Sequence, residues 1–219
     1  MEGGEMLGEI CKLQNICKIY GNKNILQNFS LTIDQGDFLA ITGISGSGKA
    51  TLLNIIGLLE KPDSGKFHLF GTENPFRHSR LVTEILRHKL AYLFQNYALM
   101  DNETISKNLD VALVYSKKTK KEKEKLKKEV LAQTGLDLEL NQKVYELSGG
   151  EQQRLAISRM LLKPFELVLA DEPTGSLDAT NRDEILNILK QLHQNGKTIV
   201  IVTHDFTVSS ICNRLIQLG

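Results

Sequence analysis

Nine residues early in the chain define its architecture: Gly43-Ile44-Ser45-Gly46-Ser47-Gly48-Lys49-Ala50-Thr51. They follow an apolar run, residues 38–42, that predicts a buried strand. They precede apolar residues at helical spacing, which are Leu52, Leu53, Ile55, Ile56 and Leu59. A strand, a glycine-rich loop and a helix in this order are the setting that a phosphate-binding loop requires.

The glycines of this loop suit it to a polyphosphate. Gly43, Gly46 and Gly48 allow positive φ values and a close approach of the backbone to a ligand. Successive backbone N–H groups then point into the loop, with the start of the helix behind them. Lys49 adds a point charge for the β and γ phosphates, and Thr51 suits the α-phosphate. We therefore expect nucleotide binding here rather than an ordinary Gly/Ser turn.

One position of the loop departs from the usual formula. A Ser or Thr normally follows the lysine, and its hydroxyl is a ligand of Mg²⁺. Here Ala50 follows Lys49, and Thr51 comes one residue too late to reach the metal unless the helix start shifts. The sequence therefore predicts nucleotide binding and a weakened metal-dependent turnover.

The composition is that of an ordinary globular protein. The 219 residues, of which 41% are hydrophobic, suffice for one large domain or two small ones. The formal net charge of +1 argues against a nucleic-acid-binding surface. Cys11, Cys17 and Cys212 have no CxxC spacing, which predicts reduced thiols.

Nothing in the sequence predicts a membrane span or a signal peptide. No apolar run reaches the roughly 18 residues that a spanning helix needs. The amino-terminal residues lack the apolar core of a signal peptide. We therefore expect a cytoplasmic chain without direct membrane insertion. Residues 1–8, rich in Gly and Glu, predict a disordered leader.

Two early strands, residues 10–20 and 26–33, predict a β portion that precedes the loop. Tyr20 ends the first of them. An aromatic side chain at the end of a strand either stacks on a purine ring or packs against its own strand. The sequence leaves both interpretations open.

Polar residues follow three further predicted strands. Gln95 follows residues 90–94, the pair Asp171-Glu172 follows residues 167–170, and His204 follows residues 197–203. Ligands bind outside the carboxyl ends of the strands of an open α/β sheet, so these side chains are candidates for one site. Asp171 suits Mg²⁺ through water, and Gln95 could reach the metal or its water. Glu172 suits polarising an attacking water, and His204 suits a γ-phosphate.

The segment between the first and second of these strands is predicted to be helical. Residues 102–140 have a helical pattern, and the Lys/Glu run 116–130 within them predicts a solvated face. Ser148, with Glu151 three residues later, predicts a capping box at the start of another helix. The alternative is that Ser148, Gly149 and Gly150 form a second anion site for the nucleotide of another molecule.

Taken in order, these residues resemble the nucleotide-binding subunit of ATP-binding cassette (ABC) transporters, from about Ile10 to the end of the chain. The resemblance rests on seven matches: Tyr20 with the adenine-stacking aromatic, 43–51 with the Walker A loop, Gln95 with the Q-loop, 147–151 with the signature, 167–172 with Walker B, 176–178 with the D-loop and His204 with the switch histidine.

The resemblance implies an α/β fold of the P-loop NTPase (RecA-like) type, with an antiparallel β portion and an inserted helical subdomain. Residues 9–219 would form one ABC ATPase domain. The core and β portion would take 9–87 and 164–219, and the helical subdomain 88–163. The implied cofactors are ATP and Mg²⁺. The implied partners are a second subunit, paired head to tail, and a membrane permease that docks near residues 95–100.

The resemblance also assigns roles to residues. Glu172 and His204 would be catalytic, and Gln95 and Asp171 would serve the metal. Contacts with bound nucleotide, from this chain or its partner, would come from Tyr20, Gly43, Ser45, Gly46, Ser47, Gly48, Lys49, Ala50, Thr51, Ser148, Gly149, Gly150, Glu151 and Asp178.

Residues 171–178, Asp-Glu-Pro-Thr-Gly-Ser-Leu-Asp, look like the subgroup that serves macrolide, lipoprotein and bacteriocin exporters. This implies an ATPase subunit at the inner face of the plasma membrane that drives export of a peptide, lipid or drug. Ala50 keeps a second hypothesis open, a regulatory subunit that dimerises on ATP and hydrolyses it weakly. A chromosome-type protein is disfavoured because residues 52–146 leave no room for a long coiled coil. A ribosome-type protein is disfavoured because the chain has one cassette.

Overall fold

The computed structural model describes residues 8–175 and 177–218. The predicted leader lies outside them except for Gly8, whose carbonyl oxygen accepts a hydrogen bond from the backbone N–H of Gln35 at 2.9 Å. Ser176 of the predicted D-loop also lies outside the described residues. Among the helices of the described part, none is long and apolar enough to cross a bilayer.

The described residues form both β-strands and α-helices. In chain order the strands are β1 (Glu9–Tyr20), β2 (Lys23–Asp34), β3 (Phe38–Gly43), β4 (Ser64–Leu69), β5 (Thr72–Glu73), β6 (Leu90–Leu93), β7 (Leu167–Asp171), β8 (Thr198–Val202) and β9 (Arg214–Leu218). The α-helices are α1 (Lys49–Ile56), α2 (Ser79–His88), α3 (Ile105–Asp110), α4 (Lys120–Gln133), α5 (Gly149–Leu161), α6 (Ala179–Gln194) and α7 (Phe206–Ser209).

The strands form two sheets, as the predicted fold class requires. An antiparallel sheet has the order β2-β1-β4-β5, and a parallel sheet has the order β6-β7-β8-β3-β9. Strands β3, β7 and β8 lie inside the parallel sheet and read as continuous apolar runs, because both of their faces are covered. This arrangement matches the predicted α/β core with an antiparallel β portion.

Alternate residues of the parallel strands enter two different cores. Leu169 and Val200 face the core shared with α1 and the antiparallel sheet. Val168 and Ile201 face the core shared with α5 and α6. A strand presents successive side chains to opposite faces, so one short apolar run supplies both layers. The sheet is thereby fixed between two helical layers, and its carboxyl ends are held in one place.

The helical segment has a core of its own, made by Ile105, Leu109, Leu131, Leu136, Val144, Leu147 and Leu155. The predicted helical pattern over 102–140 is only partly helical in the structure. Residues 111–113 form a 3-10 turn and residues 114–119 are not helical, so α3 and α4 are separate helices. The charged run on α4 is largely exposed as predicted, but Lys127 is only 3% exposed. Its Nζ lies 2.6 Å from the carboxylate of Asp110.

Two other predictions differ from the structure. Leu59 was expected on the apolar face of the first helix, yet α1 ends at Ile56 and Leu59 is 50% exposed. The backbone turns away there because Gly57 caps the helix and Leu58 has a φ of 60°. Strand β9 was not among the predicted strands. Its side chains alternate between half-buried and exposed positions, and only Leu218 is buried. It pairs with β3 along Leu39–Gly43.

Candidate functional site

The glycine-rich loop leaves the carboxyl end of β3 and enters α1 at Lys49. Gly43 has a φ of 148°, and a Cβ there would overlap the carbonyl oxygen of Leu218. Gly48 has a φ of 95°, and its Cβ would lie 2.9 Å from a methyl carbon of Ile25. Both positions therefore require glycine, for backbone conformation and for space. The loop is packed between β9 and β2 as well as between β3 and α1.

Lys49 lies across the inside of this loop. Its Nζ donates hydrogen bonds to the carbonyl oxygens of Gly43 at 2.8 Å and Ile44 at 2.9 Å. The ammonium group is thus held at the loop, where a phosphate group would be surrounded by backbone N–H groups.

The loop forms one wall of a cavity of about 720 Å³. The predicted site residues that line it are Gly43, Ser45, Gly46, Gly48, Lys49, Ala50, Thr51, Gln95, Asp171, Glu172 and His204. They meet because β6, β7, β8 and β3 are neighbours in a parallel sheet, so their carboxyl ends share one edge. Most of the set predicted from separate motifs therefore forms one continuous surface.

Both the backbone and the side chain of Glu172 are held in place at the cavity. It has a φ of 45°, which is uncommon for a residue other than glycine. Its backbone N–H donates to the carbonyl oxygen of Val202 at 2.9 Å. Its Oε1 lies 2.7 Å from Nδ1 of His204, and its Oε2 accepts from the hydroxyl of Thr203 at 3.3 Å. The side chain of Glu172 is 14% exposed and that of His204 73% exposed, so a partly buried acid is paired with an exposed ring.

Asp171 lies beside Glu172 at the end of β7. Burial raises the pKa of Asp171 above its usual range, and the adjacent charge of Glu172 raises it further, while Lys49 opposes the shift. A cation near this carboxylate would favour its ionised form.

The oxygen donors of the cavity fit Mg²⁺, although fewer are present than the motif usually supplies. Asp171 and Gln95 offer oxygen ligands in the same cavity as Ala50, whose methyl group offers none. In residues 8–175 and 177–218, no cluster of three or more His, Cys, Asp or Glu side chains could hold a metal. A bound Mg²⁺ would therefore depend on phosphates and water for its other ligands.

Several predicted nucleotide contacts do not line the cavity, and two of these, Tyr20 and Ser47, belong to motifs next to it. Tyr20 is 46% exposed, its hydroxyl donates to Glu60, and the Nζ of Lys18 lies 5.4 Å from its ring centre. The hydroxyl of Ser47 is buried without a hydrogen-bond partner in the described structure. It faces Gly43, since a Cβ on Gly43 would lie 2.8 Å from it. The Ser47 side chain thus packs against Gly43 and is not among the cavity-lining residues.

The predicted signature, residues 147–151, lies outside the cavity and begins α5. The capping box is present: the N–H of Ser148 donates to Oε2 of Glu151 at 2.8 Å, and the N–H of Glu151 donates to the Ser148 hydroxyl at 3.4 Å. The side chain and backbone of Ser148 lower the pKa of Glu151. The capping interpretation is therefore confirmed, and a second anion site remains a prediction.

Gly150 and Asp178 belong to a contact between α5 and α6. A Cβ on Gly150 would overlap the side-chain amide of Asn181. Asp178 caps α6 by accepting hydrogen bonds from the N–H of Asn181 at 2.9 Å and from its Nδ2 at 2.7 Å. These hydrogen bonds hold the pKa of Asp178 below its usual range. Asp178 therefore has a structural partner within its own chain.

Three cavity-lining residues lie outside the predicted motifs; one is Val202 on β8, and the other two lie on β2. Lys23 and Ile25, both on β2, line the cavity beside the loop. They belong to no motif, and their only sequence signal is their closeness to Tyr20 in the β1–β2 hairpin, where Tyr20 pairs with Lys23.

Comparison with known proteins places this geometry in a family. Residues 26–175 match the family described as ABC transporter. The chain is 37% identical over 222 residues to "Macrolide export ATP-binding/permease protein MacB 2" of Yersinia pestis bv. Antiqua (strain Antiqua), covering all of this chain and 33% of that protein. It is 41% identical over 195 residues to the MacB protein of Mannheimia succiniciproducens, covering 89% and 30% respectively. The chain spans about a third of the length of these curated relatives.

Solved structures agree with the sequence matches. A "post-hydrolysis state of the ATP-binding cassette MJ0796 bound to ADP and Pi", described as dimeric, superposes with a TM-score of 0.88 at 36% identity, covering 96% of this chain and 94% of that one. The protein cbiO1 of Clostridium perfringens, part of the transporter complex cbiONQ, gives a TM-score of 0.83 at 25% identity, covering 97% and 85%.

Proposed function

The chain belongs to the ABC transporter family and is an ATPase domain of that family, and from this premise we propose that its ATP hydrolysis drives an export system through a membrane permease. The observation that carries the catalytic part is that Lys49, Asp171 and Glu172 line a single cavity with the glycine-rich loop. A lysine that binds the phosphates, a carboxylate that binds the metal and a partly buried acid are the groups that phosphoryl transfer to water needs.

Nucleotide binding is proposed to begin at the loop. Backbone N–H groups of residues 43–51 would surround the phosphates, and Lys49 would exchange its bonds to Gly43 and Ile44 for phosphate oxygens. The exposed ring of Tyr20 is proposed to stack on adenine, with its hydroxyl bond to Glu60 fixing the ring in place. The loop that follows the parallel sheet would thus bind the phosphates, and the antiparallel sheet would bind the base.

Asp171 and Gln95 are the residues proposed to hold Mg²⁺. The ion would neutralise charge on the phosphate oxygens during transfer. Ala50 offers no ligand, so water would have to fill that position. This supports a lower metal affinity than the motif usually provides.

Glu172 is proposed to accept a proton from the attacking water. Its partly buried carboxylate lies at the cavity wall, and the hydroxyl of Thr203 and the ring of His204 fix its orientation. His204 is exposed enough to turn toward the γ-phosphate once nucleotide is present.

A head-to-tail pair of subunits is proposed to complete the site. Ser148, Gly149 and Gly150 lie outside the cavity of their own chain, and a relative of this fold has been solved in dimeric form with ADP and phosphate. In such a pair, the signature of one copy would contact the nucleotide held by the other. The separate core of α3, α4 and α5 supports treating 88–163 as a helical subdomain that presents the signature.

The export role rests on the relatives. Proteins named macrolide export ATP-binding/permease combine an ATP-binding part with a permease, and the chain matches about a third of their length. We propose that the chain works at the inner face of the plasma membrane with such a permease. The cargo classes proposed are a drug, a lipid or a bacteriocin-like peptide.

A second candidate function is favoured by Ala50 alone. A site that binds ATP, dimerises and hydrolyses weakly would serve as a regulatory subunit. Retention of Glu172, Gln95 and His204 in the cavity argues for hydrolysis instead.

The test is phosphate release by the purified chain across a range of Mg²⁺ and ATP concentrations, with Glu172→Gln as the blank. Turnover above the blank supports the ATPase role. Tight ATP binding with release equal to the blank would favour the regulatory subunit, and absence of ATP binding would overturn both.

A further inference from the structure

Lys23 stands at the start of β2, in the antiparallel sheet. Its side chain lines the cavity, and its Nζ lies 3.9 Å from the point that a Cβ on Gly46 would occupy. The ammonium group therefore lies beside the loop itself. Gly46 has a φ of 78° and an exposed backbone.

The ammonium group of Lys23 is not engaged by the other described residues. Within the part of the chain that the structure describes, Lys23 makes neither an ion pair nor a side-chain hydrogen bond. Lys49, by contrast, already donates to two carbonyl oxygens of the loop. Lys18, on the neighbouring strand, is paired with Glu60 and Asp63. Lys23 thus differs from both nearby lysines in having no protein partner.

A further positive charge in the cavity would favour the binding of a polyphosphate. Asp171 and Glu172 both line it and would repel a triphosphate, and the weakened metal position at Ala50 leaves less positive charge to offset them. A lysine is a compact charge on a flexible stem, so it can follow a phosphate oxygen without a fixed geometry.

We propose that Lys23 is a second cation for the polyphosphate, contacting it from the β1–β2 hairpin while Lys49 contacts it from α1. The proposal rests on the proposed ATP-binding function and adds a residue that the motifs do not include. Because Tyr20 and Lys23 pair across the hairpin, the strands that would carry the adenine platform also carry this charge. The β1–β2 hairpin would then contact both the base and the phosphates of the nucleotide.

The position of Lys23 beside Gly46 predicts that it senses the outer phosphates rather than the base. Its removal should therefore weaken ATP and ADP more than AMP. The effect should be largest without metal, since Mg²⁺ would otherwise neutralise part of the same charge. It should also shrink at high salt, because the contact is solvent-accessible.

The experiment is equilibrium binding of ATP, ADP and AMP to the intact chain, by calorimetry, in chelator and again with Mg²⁺. The variants are Lys23→Ala and Lys23→Arg. The matched control is Lys66→Ala, which removes an exposed lysine of the same sheet, on β4, that lies outside the cavity. In chelator we expect Lys23→Ala to weaken ATP binding about tenfold, the lower end for a hydrogen bond to a charged group.

Lys23→Arg should stay within about threefold of the parent, and AMP binding should change by less than about twofold in every variant. Equal ATP affinities for Lys23→Ala and Lys66→Ala would overturn the proposal. An equal loss for AMP and ATP would also overturn it, since it would indicate damage to the hairpin. Failure of the parent to bind ATP would instead overturn the proposed function, so the two outcomes are separate.

Discussion

Oε1 of Glu172 lies 2.7 Å from Nδ1 of His204, and this contact joins the ends of β7 and β8. The acid proposed to accept a proton is therefore positioned by a ring that is itself largely exposed. Nδ1 is engaged by the carboxylate, and Nε2 makes no hydrogen bond to the described residues. A ligand that forms a hydrogen bond with Nε2 would therefore be coupled to the Glu172 carboxylate through the imidazole ring.

Glu172→Gln should stop hydrolysis and hold a nucleotide-bound dimer together. The amide keeps the size of the side chain but cannot accept the proton of an attacking water. Gel filtration with ATP should show a species of twice the monomer mass for this variant and a monomer without ATP. A monomer at every ATP concentration would contradict the head-to-tail pairing.

Tyr20→Ala should weaken ATP binding by about 1–3 kcal/mol, the range for a base stacked on an aromatic side chain. Tyr20→Phe is the control, because it keeps the ring and loses only the hydroxyl bond to Glu60. Its affinity should be close to that of the parent. Similar binding by all three proteins would return Tyr20 to a packing role.

Ala50→Ser should raise turnover at limiting Mg²⁺ by about tenfold or more, since even an outer-shell partner of a metal is worth about 10–100-fold. ATP affinity in chelator should change little, because the loop N–H groups and Lys49 remain. Steady-state hydrolysis against Mg²⁺ concentration is the measurement. Superimposed curves for the two proteins would show that the hydroxyl is dispensable.

Asp171→Asn should stabilise the fold while removing activity, with a gain in unfolding free energy of about 0.5–2 kcal/mol at neutral pH. The raised pKa of Asp171 means that its ionised form disfavours the folded state. As pH rises through the ordinary pKa of an aspartate, the unfolded chain loses its proton first and stability falls. Denaturation at several pH values should therefore show the gain shrinking toward acid. A gain that is equal at all pH values would contradict this account.

Gly150→Ala should destabilise the chain by about 1–3 kcal/mol, as overpacking usually does. The new methyl group would overlap the side-chain amide of Asn181. Gly149→Ala is the matched control, because a Cβ there meets only an ordinary contact with the Tyr97 hydroxyl at 3.5 Å.

A double-mutant cycle with Asn181→Ala completes this test. The cost of Gly150→Ala should be smaller in the Asn181→Ala background, because the overlapping group is gone. An unchanged cost in both backgrounds would place the strain elsewhere.

Motifs predicted the site better than periodicity predicted the elements around it. The loop from Gly43, the pair at Asp171 and His204 each follow a short apolar strand, and parallel strands bring such ends together. Tyr20 and Ser47 also belong to motifs, but their side chains are directed by local contacts that a motif does not specify.

The missed features lack a local signal. β9 is recognisable only through its pairing with β3, a contact between residues far apart in sequence. Lys23 is an exposed lysine near a hairpin turn, and only folding of the antiparallel sheet against the loop reveals that its side chain reaches Gly46. Leu59 has the right spacing for a helix, but the backbone turn at Leu58 overrides that spacing.

The pairing of β3 with β9 has a consequence for the order of folding. Phe38 is bonded through its N–H to the side chain of Asn213, 175 residues later. During synthesis the strand that leads into the glycine-rich loop therefore stays open along one edge until residue 218 has left the ribosome. Such distant pairing slows folding and exposes an apolar edge meanwhile. A nascent chain that lacks β9 should thus have no completed loop for a nucleotide to bind. Stabilisation of the fold by nucleotide should begin only when β9 has paired with β3.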